Sequence, residues 1–316
     1  MIDHRPCRKP LVTLVATAIL ALAAAPVLAE SGDSYCGKEG VWIQILGAGG
    51  PEIDDTQAGP SYLVWIDNHA RLLVDTGPGS AVRYDEAGAD FNDLDAIAFN
   101  HLQAAHTVDL PGFIEGSAKL GRDRPLPVFG PTGSDEYPDT ETFVARLIGP
   151  MGAYPYLADF LTYRSSGGYK VEPRNVPATG SRRWARFGNE YFRLSAMPVQ
   201  HGMVPAVAWR VDIGDQSIVF AGDFSNAKDV VADFADHADA LVVSHAIPDN
   251  ARGEARELFA TPSQIGRTAS RADVRMVILG HRTNRTRGVE SQSRAAIEAS
   301  YKGSIIFADD LECWGL

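Results

Sequence analysis

Five short apolar runs in this sequence end in a histidine or an aspartate. Asp75 follows the run 72–74, His101 follows 97–100, Asp223 follows 218–222, His245 follows 241–244 and His281 follows 276–280. Layered α/β proteins assemble their ligand sites from the loops at strand ends. One titratable residue in such a place is ordinarily a satisfied rim residue. Five of them, with His201 after 197–200 and His106 one loop beyond His101, require a fold whose strand ends converge. Neutral imidazole and carboxylate are the donors that Zn²⁺ takes, and a catalytic site keeps a further position open for water. His69 and His237 stand apart from such runs and read as surface residues.

Short apolar runs bounded by Gly, Pro, Asp or Asn predict strands at 41–46, 62–66, 71–74, 96–99 and 126–129, and later at 206–211, 217–220, 241–244, 276–279 and 304–307. Hairpin turns are predicted at 67–70 and at Gly188-Asn189, so the sheets are mixed. Helical patterns fall at 226–236, 261–271 and 288–302, which makes the class α/β. The stretch 134–180 is rich in Gly, Pro, Tyr and Phe and reads as an inserted helical cap. Asp109 is placed to cap a helix that begins near Leu110.

Arg5, Arg8 and Lys9 precede an uncharged run over 11–25 that ends at Ala29, the pattern of a secretory signal peptide over 1–29. That run is short for a membrane span of about 20 residues. The expectation is one domain over 30–316, periplasmic or secreted, with no second long apolar stretch. Lys and Arg number 29 against 40 Asp and Glu, and without Asp3, Arg5, Arg8 and Lys9 the balance is 26 against 39, a net of −13. Nucleic acid is therefore disfavoured as a partner, because phosphate backbones call for a clustered basic face. A small-molecule substrate or ligand is expected instead. Cys7 falls in the predicted signal, which leaves Cys36 and Cys313 as an even pair in an exported chain, the setting of a disulfide.

The motifs LGAGGP (46–51), LVDTGPG (73–79), HLQAAHTVDLP (101–111), FAGDF (220–224), VSH (243–245) and ILGH (278–281) occur in this order. In that order and spacing the chain resembles the metallo-β-lactamase fold family, and within it the ribonuclease Z-like metallohydrolases. The resemblance implies a four-layer αββα sandwich with two metal ions at the loop edge of its sheets. It also implies a signature loop, H-x-H-x-D-H, from which this chain departs: Gln103 stands for the second histidine and Ala105 for the aspartate. By position, the first metal keeps His101, His201 and Asp223 but lacks an imidazole. The second keeps His106, Asp223 and His281 but lacks a carboxylate.

One zinc ion rather than two follows, in the set His106, Asp223 and His281, with Asp75 holding the tautomer of a ligand histidine. His245 matches the histidine of the family's His-Glu-Ala element and takes the catalytic role, although its glutamate partner has become Ala246. The expected activity is hydrolysis of an ester or phosphodiester through a metal-bound hydroxide at this reduced site. The losses at Gln103, Ala105 and Ala246 support the alternative, a catalytically silent member that works as a binding or interaction protein.

Overall fold

The structure is a computed structural model and describes residues 36–162 and 168–316. The predicted signal peptide lies outside the described residues. Apolar, β-branched and aromatic residues fill strands β1 (Val41–Gly47), β2 (Ser61–Ile66), β3 (His69–Val74), β4 (Ala96–Ala98), β5 (Leu126–Pro131) and β6 (Val171–Val176), the first sheet. The second holds β7 (Trp184–Gly188), β8 (Arg193–His201), β9 (Val204–Ile213), β10 (Gln216–Gly222), β11 (Ala240–Ser244), β12 (Met276–Gly280) and β13 (Ser304–Phe307). A last strand, β14 (Cys313–Gly315), returns to pair with β1 at the edge of the first sheet. Each sheet is antiparallel over one half and parallel over the other, through β3–β6 and β10–β13.

The predicted hairpins form. Asp67 and Asn68 adopt left-handed φ of 49° and 64° between the paired Ile66 and His69, the conformation that a tight two-residue turn demands. At the other, Asn189 Oδ1 accepts the amides of Tyr191 and Phe192.

Three apolar layers hold the sandwich together. Ile43, Phe129, Trp209 and Phe220 lie between the sheets. Outside the first sheet, Tyr84 of α1 (Ser80–Glu86), Leu110 and Ile114 of α3 (Leu110–Gly116) and Val144 of α4 (Thr140–Ile148) join the second core; α2 (Ala104–Thr107) precedes α3. Outside the second sheet, Phe234 of α5 (Val230–Phe234), Ile265 of α7 (Pro262–Arg271) and Ile297 of α8 (Glu290–Glu298) form the third. Between α5 and α7 runs the short α6 (Ala255–Leu258). This is the αββα arrangement that the motif order implies.

Two expectations change. The stretch 134–180 is not wholly a cap, because its last part becomes β6, which pairs in parallel with β5 and completes the first sheet. Pro173 and the polar residues Glu172, Arg174 and Asn175 hide that strand, and an edge position is what tolerates them. Asp109 sits at the start of α3 without capping it. Pro111 supplies no N–H there, and the carboxylate instead accepts the Ala81 amide at 3.0 Å, tying α3 to α1. Cys36 and Cys313 are joined as a disulfide, with their Cα atoms 5.4 Å apart.

Candidate metal centre

The parallel halves of both sheets bring their C-terminal ends to one edge, and the site forms there. Asp75 leaves β3 and His281 leaves β12 in the left-handed region, at φ 60° and 45°. Non-glycine residues are held there at a cost of order 1–3 kcal/mol each, a feature concentrated at functional sites. Gly222 ends β10 at φ 60°, where a Cβ would meet the Asn100 side chain at 2.6 Å. Asn100 Nδ2 donates to Val207 O at 2.7 Å, so this close approach locks the two sheets together one residue from His101 and from Asp223.

Asp223 is the hub and is buried. Its Oδ2 lies 3.2 Å from His101 Nε2, 3.7 Å from His106 Nε2 and 3.7 Å from His201 Nε2, while its Oδ1 lies 3.6 Å from His281 Nδ1. All four histidines are buried. The tightest three-donor group is His101, His106 and Asp223, whose ligand atoms lie within 4.8 Å of one another. It shares His106 and Asp223 with the set expected from the motif.

Neighbouring groups fix the tautomers. Asp75 Oδ2 accepts from His106 Nδ1 at 2.9 Å, and Asp75 Oδ1 accepts the Asn100 amide at 2.8 Å. His201 Nδ1 donates to Leu258 O at 2.9 Å, which leaves Nε2 as the nitrogen that faces Asp223. The Gln103 amide points at His101 Nδ1 at 3.3 Å, so His101 Nε2 is its donor to Asp223.

The charges follow from burial and proximity. Burial pushes Asp223 up, but the surrounding imidazoles outweigh it and hold the carboxyl well below the usual carboxylate range. Burial and the His106 imidazole push His101 down to about 3. Burial also lowers His281, to about 4. His106 moves the other way: burial opposes its charge, yet Asp75 and Asp223 on either side raise it to about 10.

A cation fits this donor set on a direct observation. His106 Nε2 and His281 Nδ1 are buried and have no hydrogen-bond partner among the described residues. Such orphans are costly, and here both converge on a carboxylate that carries charge. Gln103 does not join them, since its side chain is exposed at the start of α2, and Ala105 offers only a methyl. The carboxylates in ion-pair range of these histidines are Asp75 and Asp223.

His245, the residue expected in the catalytic role, makes no ion pair with Asp223 among the described residues. Side chains alternate along β11, and the residue that reaches Asp223 is Ser244, whose Oγ lies 2.5 Å from Oδ1. The His245 ring instead bonds Ser293 Oγ of α8 at 2.9 Å and meets Phe307 edge-on. Burial and Arg282 push it down to about 4. Sequence reasoning also missed Phe259, whose ring lies 5.3 Å from His201 and 6.1 Å from His281 and walls the centre with apolar surface. Strand alternation could have pointed to Ser244, whereas nothing local marks a loop residue such as Phe259. His69 and His237 are exposed, as expected.

A family described as the beta-lactamase superfamily domain matches residues 70–282, the interval that carries Asp75, His101, His106, His201, Asp223 and His281. The chain belongs to the beta-lactamase superfamily. It is similar to the ribonuclease Z of Thermobifida fusca (strain YX), 27% identical over 300 residues that cover 84% of this chain and 92% of the relative. The ribonuclease Z of Mycobacterium bovis (strain BCG / Pasteur 1173P2) is 29% identical over 283 residues, 85% of this chain and 96% of its own. Among solved structures, the metallo-β-lactamase fold protein YhfI from Bacillus subtilis superposes with a TM-score of 0.68 at 19% identity, covering 88% of this chain and 99% of its own. Human tRNase Z, short form, gives 0.66 at 16% identity, with 87% and 98% covered. This superfamily member is thus a metallo-β-lactamase-fold hydrolase of the ribonuclease Z-like kind. No helix among the described residues is long and apolar enough to cross a membrane.

Proposed function

We propose that the chain is an exported hydrolase that holds one zinc ion through His106, His281 and Asp223, with His101 and His201 alongside, and cleaves an ester or phosphodiester. The observation that carries this reading is the pair of orphaned, buried nitrogens, His106 Nε2 and His281 Nδ1, at 3.7 and 3.6 Å from the two oxygens of Asp223. Zinc bound there supplies Lewis-acid polarisation of the scissile bond and lowers the pKa of a water.

The protein's own residues prepare that chemistry. Asp75 holds one His106 hydrogen on Nδ1, so that Nε2 is the nitrogen offered to the cation once its own proton leaves, and Ser244 fixes the Asp223 carboxylate. Phe259 excludes water from the His201 and His281 side. Ala105 cannot move a proton, so catalysis lacks a contribution that a positioned acid or base typically makes, about 10²–10⁴-fold.

Relatives named ribonuclease Z favour phosphodiester hydrolysis over the silent binding protein, and they set an RNA activity beside the expectation against nucleic acid. The acidic balance of the chain supports a small substrate instead. The Cys36–Cys313 disulfide and the charged-then-apolar pattern of 1–29 support export. The test is zinc content by elemental analysis after equilibration with zinc, with hydrolysis of bis(p-nitrophenyl) phosphate and p-nitrophenyl acetate. One ion per chain and a turnover abolished by Asp223→Ala are expected. A folded protein that takes up no zinc overturns the reading.

A further inference from the structure

A pocket of about 250 Å³ lies at the end of β8, among residues next in sequence to two members of the metal centre. Its position follows from the chain. Gln200 and Gly202 flank His201, and Phe224 follows Asp223, so the pocket begins one residue from two members of the cluster. The opposite wall is main chain from Gly133 and Gly180, the two roots of the 134–180 insertion. That insertion therefore borders a cavity at the His201 end of β8.

The lining has a definite chemistry. Val199, Met203 and Phe224 make an apolar floor. The charged residues of the lining are Lys228 and Asp229, and the Asp229 carboxylate is already paired with Arg271. Lys228 makes no ion pair among the described residues, so the pocket presents one unneutralised cation. Asn226 also joins the lining. Asn226 is also held at φ 57° and Asp229 at φ 50°, so the segment that carries Lys228 is presented in a strained conformation.

We propose that this pocket recognises the organic group next to the scissile bond, and that the group is a small anion, carboxylate- or phosphate-bearing, with an apolar body. The assignment of the pocket to a substrate rests on the hydrolase reading; its affinity for such an anion does not. The volume lies just below the roughly 300–1,000 Å³ of drug-sized sites, which suits a single compact group. Lys228 neutralises the anion, and the exposed Met203 covers the body.

The test separates the pocket from the metal. Chelator-treated protein is titrated with 4-hydroxyphenyl phosphate and with uncharged hydroquinone, by calorimetry and by chemical-shift mapping. The anion is expected to bind more tightly than hydroquinone, with shifts at 224–231 and 200–205. Lys228→Met, a change at an exposed position, is expected to weaken the anion about three- to tenfold and leave hydroquinone unchanged. With zinc present, the same variant raises KM for an anionic aryl ester and leaves kcat and the neutral ester unchanged. Equal binding of the anion to parent and Lys228→Met, or shifts confined elsewhere, overturns the proposal even where zinc binds and esters turn over. Binding in the pocket by a protein that takes up no zinc removes the hydrolase reading and its substrate assignment, and leaves an anion site.

Discussion

Asp75→Asn tests how the centre is built. The carboxylate accepts from His106 Nδ1 at 2.9 Å, which keeps a hydrogen on Nδ1, so that Nε2, 3.7 Å from Asp223, is the nitrogen that gives up its proton to zinc. Asparagine has nearly the same shape, and its carbonyl still accepts the Asn100 amide now bonded at 2.8 Å. Its NH₂ then faces His106 Nδ1, which must become the acceptor, and the hydrogen moves to Nε2. The backbone support survives while the ligand nitrogen is blocked. Loss of such a carboxylate partner costs about 10–100-fold in metal affinity, which is about 1.4–2.8 kcal/mol at 1.4 kcal/mol per decade. Competition with a chromophoric chelator measures the zinc Kd, and far-UV circular dichroism checks that the variant is folded. A folded Asp75→Asn protein with the parent's Kd refutes the tautomer argument.

Zinc uptake will release about one proton near pH 8, because His106, raised to about 10 by Asp75 and Asp223 against its burial, carries a proton that the metal displaces. The same raised value means that the zinc-free protein keeps this ion pair's stabilisation below the ordinary histidine value and loses it as pH rises through about 10. Calorimetry in two buffers of different ionisation enthalpy reads the proton, and a release near zero removes the argument. Ser244→Ala will weaken zinc about tenfold while Ser244→Thr keeps the parent affinity, since the hydroxyl at 2.5 Å orients Asp223; equal affinities for all three proteins would deny that role. Reducing the Cys36–Cys313 bond, whose ends are 277 residues apart, removes up to about 5 kcal/mol by the loop-entropy argument and lowers Tm by about 10 °C; a thermal melt insensitive to reductant contradicts it. Gln103→His with Ala105→Asp will raise zinc content from one ion toward two, and an unchanged content means that the loop geometry has moved as well.

The sandwich was legible because its signals are local. Strands β2, β11 and β12 are nearly unbroken apolar runs, and Asp67-Asn68 names its own turn. Strand β6 was not legible, because its residues pass for a loop until β5 lies beside them. The short β14 depends in the same way on β1, and the disulfide at Cys313 was the only hint that the C-terminus returns there.

The same division runs through the site. By itself the sequence determined which residue types stand at strand ends, and so grouped His101, His106, His201, Asp223, His281 and Asp75, with His245 among them. It also exposed the losses at Gln103 and Ala105, since identity at a motif position needs no coordinates. Only the tertiary structure decided which atoms of that group meet. It placed Ser244 rather than His245 against Asp223, because a pleated strand turns neighbouring side chains to opposite faces and only the packed neighbours fix which face is the site's. It alone brought Phe259 to the histidine rings and set Lys228 and Asn226 around a cavity, for these contacts join segments distant in the chain and leave no periodic or local signature in it.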